Sequence, residues 1–258
     1  MNILITNDDG YDAAGIKALR MALESAGHGV LELAPSANQS AKSHSIRISG
    51  NMELQKHEEM VYSIDGTPAD TVVFYDTSDY FPDFKADLVV SGINNGLNVS
   101  SDIIYSGTCA AAREASLRGH PAIALSCQVG KDGTVADYEL AIRFLLANLD
   151  TLCDALKRKG ARNFFLNINV PFGGSEDRFE YASLSPLDYS DIMSEAENTD
   201  AVLENSERFV VQFLHNETKV NESLRNKKIR EVCDMDAVHR GIISVSFIRS
   251  FPSWDNSL

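Results

Sequence analysis

Two adjacent carboxylates, Asp8 and Asp9, stand directly behind the apolar run Ile3-Leu4-Ile5, and Gly10 follows them. A pair of this kind at the end of a core strand repels itself and loses solvation together. A divalent cation between the two reverses the sign of that interaction. Three further polar segments also fit the ends of strands. They are Asn38-Gln39-Ser40, the run from Ser91-Gly92-Ile93-Asn94 through Asn95-Gly96-Leu97-Asn98, and Tyr105-Ser106-Gly107-Thr108. The donors they offer are all oxygens: the carboxylates of Asp8 and Asp9, the amide carbonyl of Asn94 and the hydroxyl of Ser40. Hard oxygen donors suit Mg, Mn or Ca. Ser106-Gly107-Thr108 precedes the Ala-rich stretch from Cys109 to Ala112. Hydroxyls and free amides at a helix N-terminus form a phosphate cradle, and Gly107 lets the backbone come close. The glycines and asparagines of residues 92 to 98 are suited to the same use.

Each segment also has a plain structural reading. Asp-Asp-Gly is a common turn or helix cap, Ser-Gly-Thr an ordinary N-cap, and Gly-Ile-Asn-Asn-Gly a turn. Ser40 alone carries almost no signal. What points to a site is the common placement at strand ends, because ligands of open parallel sheets bind beyond the carboxyl ends of the strands. His44, in Ser-His-Ser, reads as a solvated loop residue or a phosphate contact. His28, His57, His120, His215 and His239 show no pairing pattern.

These loops need a frame. Residues 2 to 6 read as a strand. Ile16, Leu19 and Leu23 fall at helical spacing, with Gly27 behind them, and Val30 to Leu33 form a second strand closed by Ala34-Pro35. The opening is therefore β-α-β, which favours a parallel sheet with a right-handed crossover. Residues 36 to 50 read as a long polar loop, and 51 to 64 as short strands. Gly66-Thr67-Pro68 turns into a helix over about Ala69 to Asp76. Leu88-Val89-Val90 is a buried strand ended by Ser91-Gly92. A helix over Ser106 to Arg118, a strand over Ala122 to Leu125, a long helix from Val135 to Arg158 and a strand over Phe164 to Val170 complete an α/β core. Residues 174 to 230 are charged and polar and predict hairpins and helices projecting from that core. Ile242 to Ile248 predicts a strand returning to it.

The chain has 258 residues and 44% hydrophobic residues, enough for a full core without disulfides or structural metal. Its formal net charge of -14 excludes nonspecific nucleic-acid binding through the overall field. Any anion site must be built locally. Cys109, Cys127, Cys153 and Cys233 form no CxxC and read as buried free thiols in a reducing compartment. No apolar run approaches the roughly 20 residues that span a bilayer, and the N-terminus carries no secretory pattern. The expectation is a cytoplasmic protein with no membrane partner.

In order and spacing, these motifs resemble the SurE family of metal-dependent nucleotidases. The resemblance runs through Asn7-Asp8-Asp9-Gly10, Gly15-Ile16, Ala34-Pro35, Asn38-x-Ser40, Ser43-x-Ser45 and Gly66-Thr67-Pro68-Ala69-Asp70. It continues through Ser91-Gly92-Ile93-Asn94-x-Gly96-x-Asn98, Tyr105-Ser106-Gly107-Thr108, Ala110-Ala111-Ala112 and Asn167-Ile168-Asn169-Val170-Pro171. It is dense to about residue 171 and thin afterwards. It implies one SurE-like domain over residues 1–258. A Rossmann-like three-layer catalytic core would occupy 1–171, and 172–258 would form C-terminal oligomerisation arms and a returning strand. It implies a homodimer or homotetramer and hydrolysis of nucleoside 5'- and 3'-monophosphates, with exopolyphosphatase activity in some members. Carried over by motif, Asp8, Asp9, Ser40 and Asn94 are metal ligands for one divalent ion per subunit, Mg or Mn. Asp8 and Asp9 are also the catalytic carboxylates, and Asn98, Ser106, Gly107 and Thr108 hold phosphate. The chain departs from the family pattern at Ala13-Ala14, at His44 where Asn is common, and at Cys233-Asp234 where Thr-Asp is usual.

Two other readings remain. A covalent aspartyl phosphatase needs Asp-x-Asp after its first strand, and here the carboxylates are adjacent. A noncatalytic nucleotide- or metal-binding module would keep the same oxygen donors without turnover. A Rossmann dehydrogenase is disfavoured because no GxGxxG follows the first strand.

Overall fold

The computed structural model describes residues 1–130, 136–185, 187–188, 192–195, 211–214, 219–220 and 232–252. Its larger unit comprises Met1–Leu184 and Glu231–Leu258. It is built on a nine-stranded sheet whose first strands are β1 (Asn2–Thr6), β2 (Gly29–Pro35), β3 (Leu54–Glu58), β4 (Val61–Ile64) and β5 (Leu88–Asn95). The others are β6 (Ala122–Cys127), β7 (Phe164–Val170), β8 (Phe179–Tyr181) and β13 (Ile243–Arg249). In space the order is β3-β4-β2-β1-β5-β6-β7-β13-β8. From β4 to β7 every pairing is parallel, while β3 and β13 run antiparallel to their neighbours β4 and β7.

The central strands are buried on both faces, so they are continuous apolar runs whose residues alternate between two cores. Ile3, Ile5, Leu88, Val90, Ile123, Leu125, Leu166 and Ile168 face the core shared with helices α1 (Ala14–Ser25) and α5 (Tyr138–Lys159). Leu4, Val89, Ala124 and Phe165 face the core shared with α2 (Pro68–Thr77) and α4 (Gly107–Leu117). This is the expected three-layer α/β arrangement. α2 starts with a capping box, in which the Thr67 hydroxyl accepts from the Asp70 amide and the Asp70 carboxylate accepts from the Thr67 amide, and Pro68 follows the cap. α4 presents Cys109, Ala111, Ala112 and Ala115 to the sheet. These small side chains let the helix sit close to the strands.

Two elements were not foreseen: the four-residue helix α3 (Asp102–Tyr105) and the short helix α6 (Asp234–His239) before β13. Another reading is corrected. Ser91-Gly92 does not end its strand; β5 continues to Asn95, with a register shift between Ser91 and Asn94. Gly92 sits at φ +146°, where a Cβ would lie 2.4 Å from the Leu125 carbonyl oxygen, so only glycine fits this bulge. The onset of the long helix at Val135 lies outside the described residues; the described helix begins at Tyr138.

The smaller unit is Ser185–Arg230. Its described elements are β9 (Leu187–Asp188), β10 (Ile192–Glu195), β11 (Val211–Leu214) and β12 (Lys219–Val220). β10 pairs with β11, and β9 with β12, both antiparallel. The expected hairpins are therefore present. No helix lies among its described residues.

Candidate functional site

β2 lies on one side of β1 and β5 on the other, so successive crossovers leave β1 in opposite directions. The carboxyl ends of β1 and β5 are the switch point of the sheet, where a cleft opens and ligands bind. Asp8 and Asp9 lie just past β1, and Asn94-Asn95 close β5.

The turn after β1 is fixed by Asn7, which is fully buried. Its Oδ1 accepts from the Gly10 amide at 3.1 Å, and its Nδ2 donates to the Gly10 carbonyl at 2.8 Å. Asp8 then points to the start of α4. The Thr108 hydroxyl donates to Asp8 Oδ1 at 2.5 Å, and the Thr108 and Gly107 amides also face the carboxylate. The helix N-terminus thus already holds one anion, a protein carboxylate. Burial raises the Asp8 pKa and outweighs the Thr108 contacts that lower it. Half-buried Asp9 is also raised, first by burial and then by the charge of Asp8; the Asn95 amide, 3.4 Å from its Oδ2, works against this. Among the described residues neither carboxylate has a cationic partner.

The other expected donors reach this centre through backbone bonds. The Gln39 amide donates to the Asp8 carbonyl at 2.7 Å, and the Ser40 amide to Asn38 Oδ1 at 3.0 Å, which places exposed Ser40 on the loop against Asp8. Asn94 Nδ2 donates to the Gly96 carbonyl at 2.8 Å, so its amide oxygen is the end left to act as a ligand. Ser106 caps α4, its hydroxyl accepting from the Cys109 amide at 3.0 Å. Gly107 is pressed against Asp8: a Cβ there would lie 2.7 Å from Asp8 Cβ and 2.9 Å from Asp8 Oδ2.

Asn98 stands at the ends of the next strands and is engaged there. Its amide donates to Asn169 Oδ1 at 2.7 Å and its Nδ2 to the Ser126 hydroxyl at 2.8 Å, while its carbonyl accepts from Asn167 and Asn169. The structure assigns it first to this buried ladder.

His44 is not a free loop residue; its Nε2 lies 3.0 Å from Glu114 Oε2. Tyr138 was not singled out from the sequence. Burial, and then the charge of Asp9, push its hydroxyl up to about 12, so it remains a proton donor beside the carboxylates. Its only sequence signal was its place at the start of the long helix.

The donor set fits a divalent cation. Two like charges held at a strand end without a compensating Lys, Arg or His present the field that such an ion requires. Among the described residues no group of three His, Cys, Asp or Glu side chains forms a metal cluster, so an ion here would also need the hydroxyl and amide oxygens. All four cysteines are buried, and none is among the donors of this set.

The fold and this centre define an open α/β protein with carboxylate, hydroxyl and amide groups gathered at its switch point. The family model described as survival protein SurE matches residues 3–191, and the chain belongs to that family. Curated relatives named 5'-nucleotidase SurE include one from Sorangium cellulosum, 44% identical over 67% of this chain and 66% of its own length. One from Geotalea daltonii is 41% identical over 66% of each chain. The alignments thus span about two thirds of these relatives. The crystal structure of a SurE protein from Aquifex aeolicus superposes with a TM-score of 0.72 at 26% identity, covering 98% of this chain and 95% of that one. No helix among the described residues is long and apolar enough to cross a membrane.

Proposed function

We propose that this protein is a phosphomonoesterase that hydrolyses nucleoside 5'- and 3'-monophosphates to nucleoside and phosphate. One divalent cation, Mg or Mn, would be held by Asp8, Asp9, Ser40 and Asn94. The observation that carries the reading is the carboxylate pair with no cationic partner among the described residues, in which Asp8 is locked by Thr108 to the N-terminus of α4. The names of the curated relatives support the substrate class.

Ser106, Gly107, Thr108 and Asn98 are assigned to the phosphate. The Ser106 hydroxyl, which accepts from the Cys109 amide and keeps its own proton, donates to a phosphate oxygen, and the N-terminus of α4 favours the charge that grows there during in-line displacement. Asp9, less buried than Asp8 and raised in pKa, orients the attacking water and takes its proton. The water oxygen bonds to phosphorus as the phosphorus–oxygen ester bond breaks, and the leaving ester oxygen takes a proton from solvent, so that the nucleoside leaves as an alcohol. A cation bound to the set supplies Lewis acidity, neutralising phosphoryl charge and acidifying water. Asp8, held on three sides by α4, keeps the ligand geometry fixed. Inorganic polyphosphate, which ends in the same terminal phosphoryl group, is a further substrate on this reading. The segment 172–258 is assigned to oligomerisation into a dimer or tetramer, and the protein to the cytoplasm.

The test is phosphate release from a panel of nucleoside 5'- and 3'-monophosphates, with EDTA and with added Mg or Mn, for the wild type and Asp8→Asn. Release that requires the metal and falls by about 10³-fold or more in Asp8→Asn supports the reading. Folded protein that releases no phosphate with either metal shifts the weight to a noncatalytic binding module.

A further inference from the structure

The segment that carries Ser40 has neither strand nor helix over residues 40–47. Two of its residues, Ala41 at φ +57° and Ser43 at φ +56°, lie in the left-handed region that side chains with a Cβ avoid. Such a shape persists only where the surroundings hold it. Ser43 donates from its amide to the Tyr105 carbonyl at 2.9 Å and from its hydroxyl to the Ile104 carbonyl at 2.6 Å. The Thr67 hydroxyl donates to the Ser45 carbonyl at 2.6 Å, and the Arg47 amide to Asp70 Oδ1 at 2.7 Å. A further anchor joins two ionisable side chains, His44 Nε2 and Glu114 Oε2, 3.0 Å apart.

Glu114 is well placed to act as an anchor. It is only 9% exposed, and its other oxygen accepts from Arg118 Nε at 2.6 Å. Arg118 also donates to Asp76 on α2 at 2.9 Å, and His120 lies 3.1 Å from the same carboxylate. The carboxylate of Glu114 is thus fixed from both sides, and its pKa is lowered, chiefly by His44 and then by Arg118 against the effect of burial. Glu114 sits on the same helix as Thr108, which fixes Asp8 at the other end. One rigid element therefore locates both the buried carboxylate and the loop with the hydroxyl.

We propose that His44 is a positioning residue. Through Glu114 it clamps residues 40–47 to α4, and so sets the Ser40 oxygen at a fixed place relative to Asp8. The proposal rests on the reading of Asp8, Asp9, Ser40 and Asn94 as the cation-holding set, and extends it to a pair that touches neither cation nor phosphate.

The experiment is direct Mn(II) titration followed by the electron paramagnetic resonance signal of the free ion, with thermal unfolding in EDTA run in parallel. A charge-assisted bond that holds a ligand loop supports an effect of about tenfold in affinity. The expected result for His44→Ala is a Mn(II) dissociation constant raised about tenfold, with the metal-free melting temperature close to wild type. His44→Gln, whose Nε2 reaches about as far as the imidazole Nε2 and can still donate to Glu114, returns the constant to within about threefold of wild type. Glu114→Gln approaches the same clamp from the other side and weakens binding by roughly three- to tenfold. Unchanged Mn(II) affinity in both His44→Ala and Glu114→Gln overturns the proposal, and so does a loss in His44→Gln as large as in His44→Ala. If the folded wild type binds no Mn(II), the cation-site reading fails and the clamp falls with it. If it binds Mn(II) with the same affinity as His44→Ala and Glu114→Gln, only the clamp fails.

Discussion

Gly107→Ala separates the demands of the site from those of the fold. Gly107 opens α4 and its φ lies outside the left-handed region, so its backbone has no need of glycine. Alanine there gains helix propensity worth up to about 1 kcal/mol. The added methyl would lie 2.7 Å from Asp8 Cβ, 2.9 Å from Asp8 Oδ2 and 3.0 Å from Pro68 Cγ. Overpacking of this kind costs about 1–3 kcal/mol. The two effects leave a net loss of roughly 0–3 kcal/mol, a fall in melting temperature of at most about 12 °C for a chain of this size. Relief of the contact is different, because ordinary van der Waals contact begins at 3.4 Å. Asp8 or the end of α4 must therefore shift by roughly 0.7 Å. That movement strains the bond from the Thr108 hydroxyl to Asp8 Oδ1. Misplacing a catalytic group by about 1 Å costs on the order of 10²-fold in rate. The expected outcome is a protein that still folds, with a stability in urea lower by no more than about 3 kcal/mol, yet releases phosphate from nucleoside monophosphates about a hundredfold more slowly in kcat/KM. Activity within threefold of wild type would show that the close packing of Gly107 on Asp8 plays no part in the chemistry.

Three further outcomes follow from the same geometry. Asn169 accepts from the Asn98 amide and donates to its carbonyl, so Asn169→Ala orphans a buried N–H and is expected to cost about 2–3 kcal/mol in urea unfolding; a loss below 0.5 kcal/mol, taken as roughly the noise of such data, removes the ladder as a structural element. Glu32, 1% exposed, is pushed up to about 7 chiefly by burial, with Arg20 Nε 3.1 Å away pulling the other way. The native state then binds the extra proton between the unfolded pKa near 4.5 and about 7, so wild-type stability falls as pH rises through that window and levels above it. Glu32→Gln abolishes this dependence, and its stability relative to wild type should improve by roughly 3 kcal/mol between pH 4 and pH 8 in urea titrations; parallel curves refute the buried ionisation. Metal-free Asp8→Asn relieves the charge repulsion on Asp9 and should melt no lower than wild type. Mg or Mn at about 100 times its dissociation constant should add nearly 3 kcal/mol to the wild type and far less to the variant, as read by calorimetry.

Most of the larger unit could be read from local pattern because a doubly covered parallel sheet writes its strands as short apolar runs. Ile3-Leu4-Ile5 and Leu88-Val89-Val90 are buried whatever the register, and the spacing of Ile16, Leu19 and Leu23 leaves a helix as the only economical way to bury them. The strand continuing through Ser91 to Asn95 was hidden for the opposite reason. Its residues are polar and its glycine serves a bulge against Leu125, so local composition spelled a turn. The pairing of His44 with Glu114 spans 70 positions in the chain, and no periodicity carries such a contact. The ladder of Asn98, Ser126, Asn167 and Asn169 was visible only as motif fragments, since three strands have to be laid side by side before the amides meet. Tyr138 belongs to the same class: its nearness to Asp9 is created by the packing of α5.

The opening puzzle, two carboxylates at the end of a core strand, has a structural answer that extends past the carboxylates themselves. Asp8 is tolerable because Thr108 and the amides of α4 face it, and those groups reach it only because Gly107 has no side chain and the next turns of the helix carry alanines where it meets the sheet. The same helix continues to Glu114, which holds the loop of Ser40 through His44. A larger residue on the inner face would lift α4 from the strands and loosen both ends at once. The Ala-rich stretch, which by propensity alone would be simply a good helix, is therefore a condition of the site: it sets the distance at which one element can hold a buried anion at its start and tether a ligand loop two turns later.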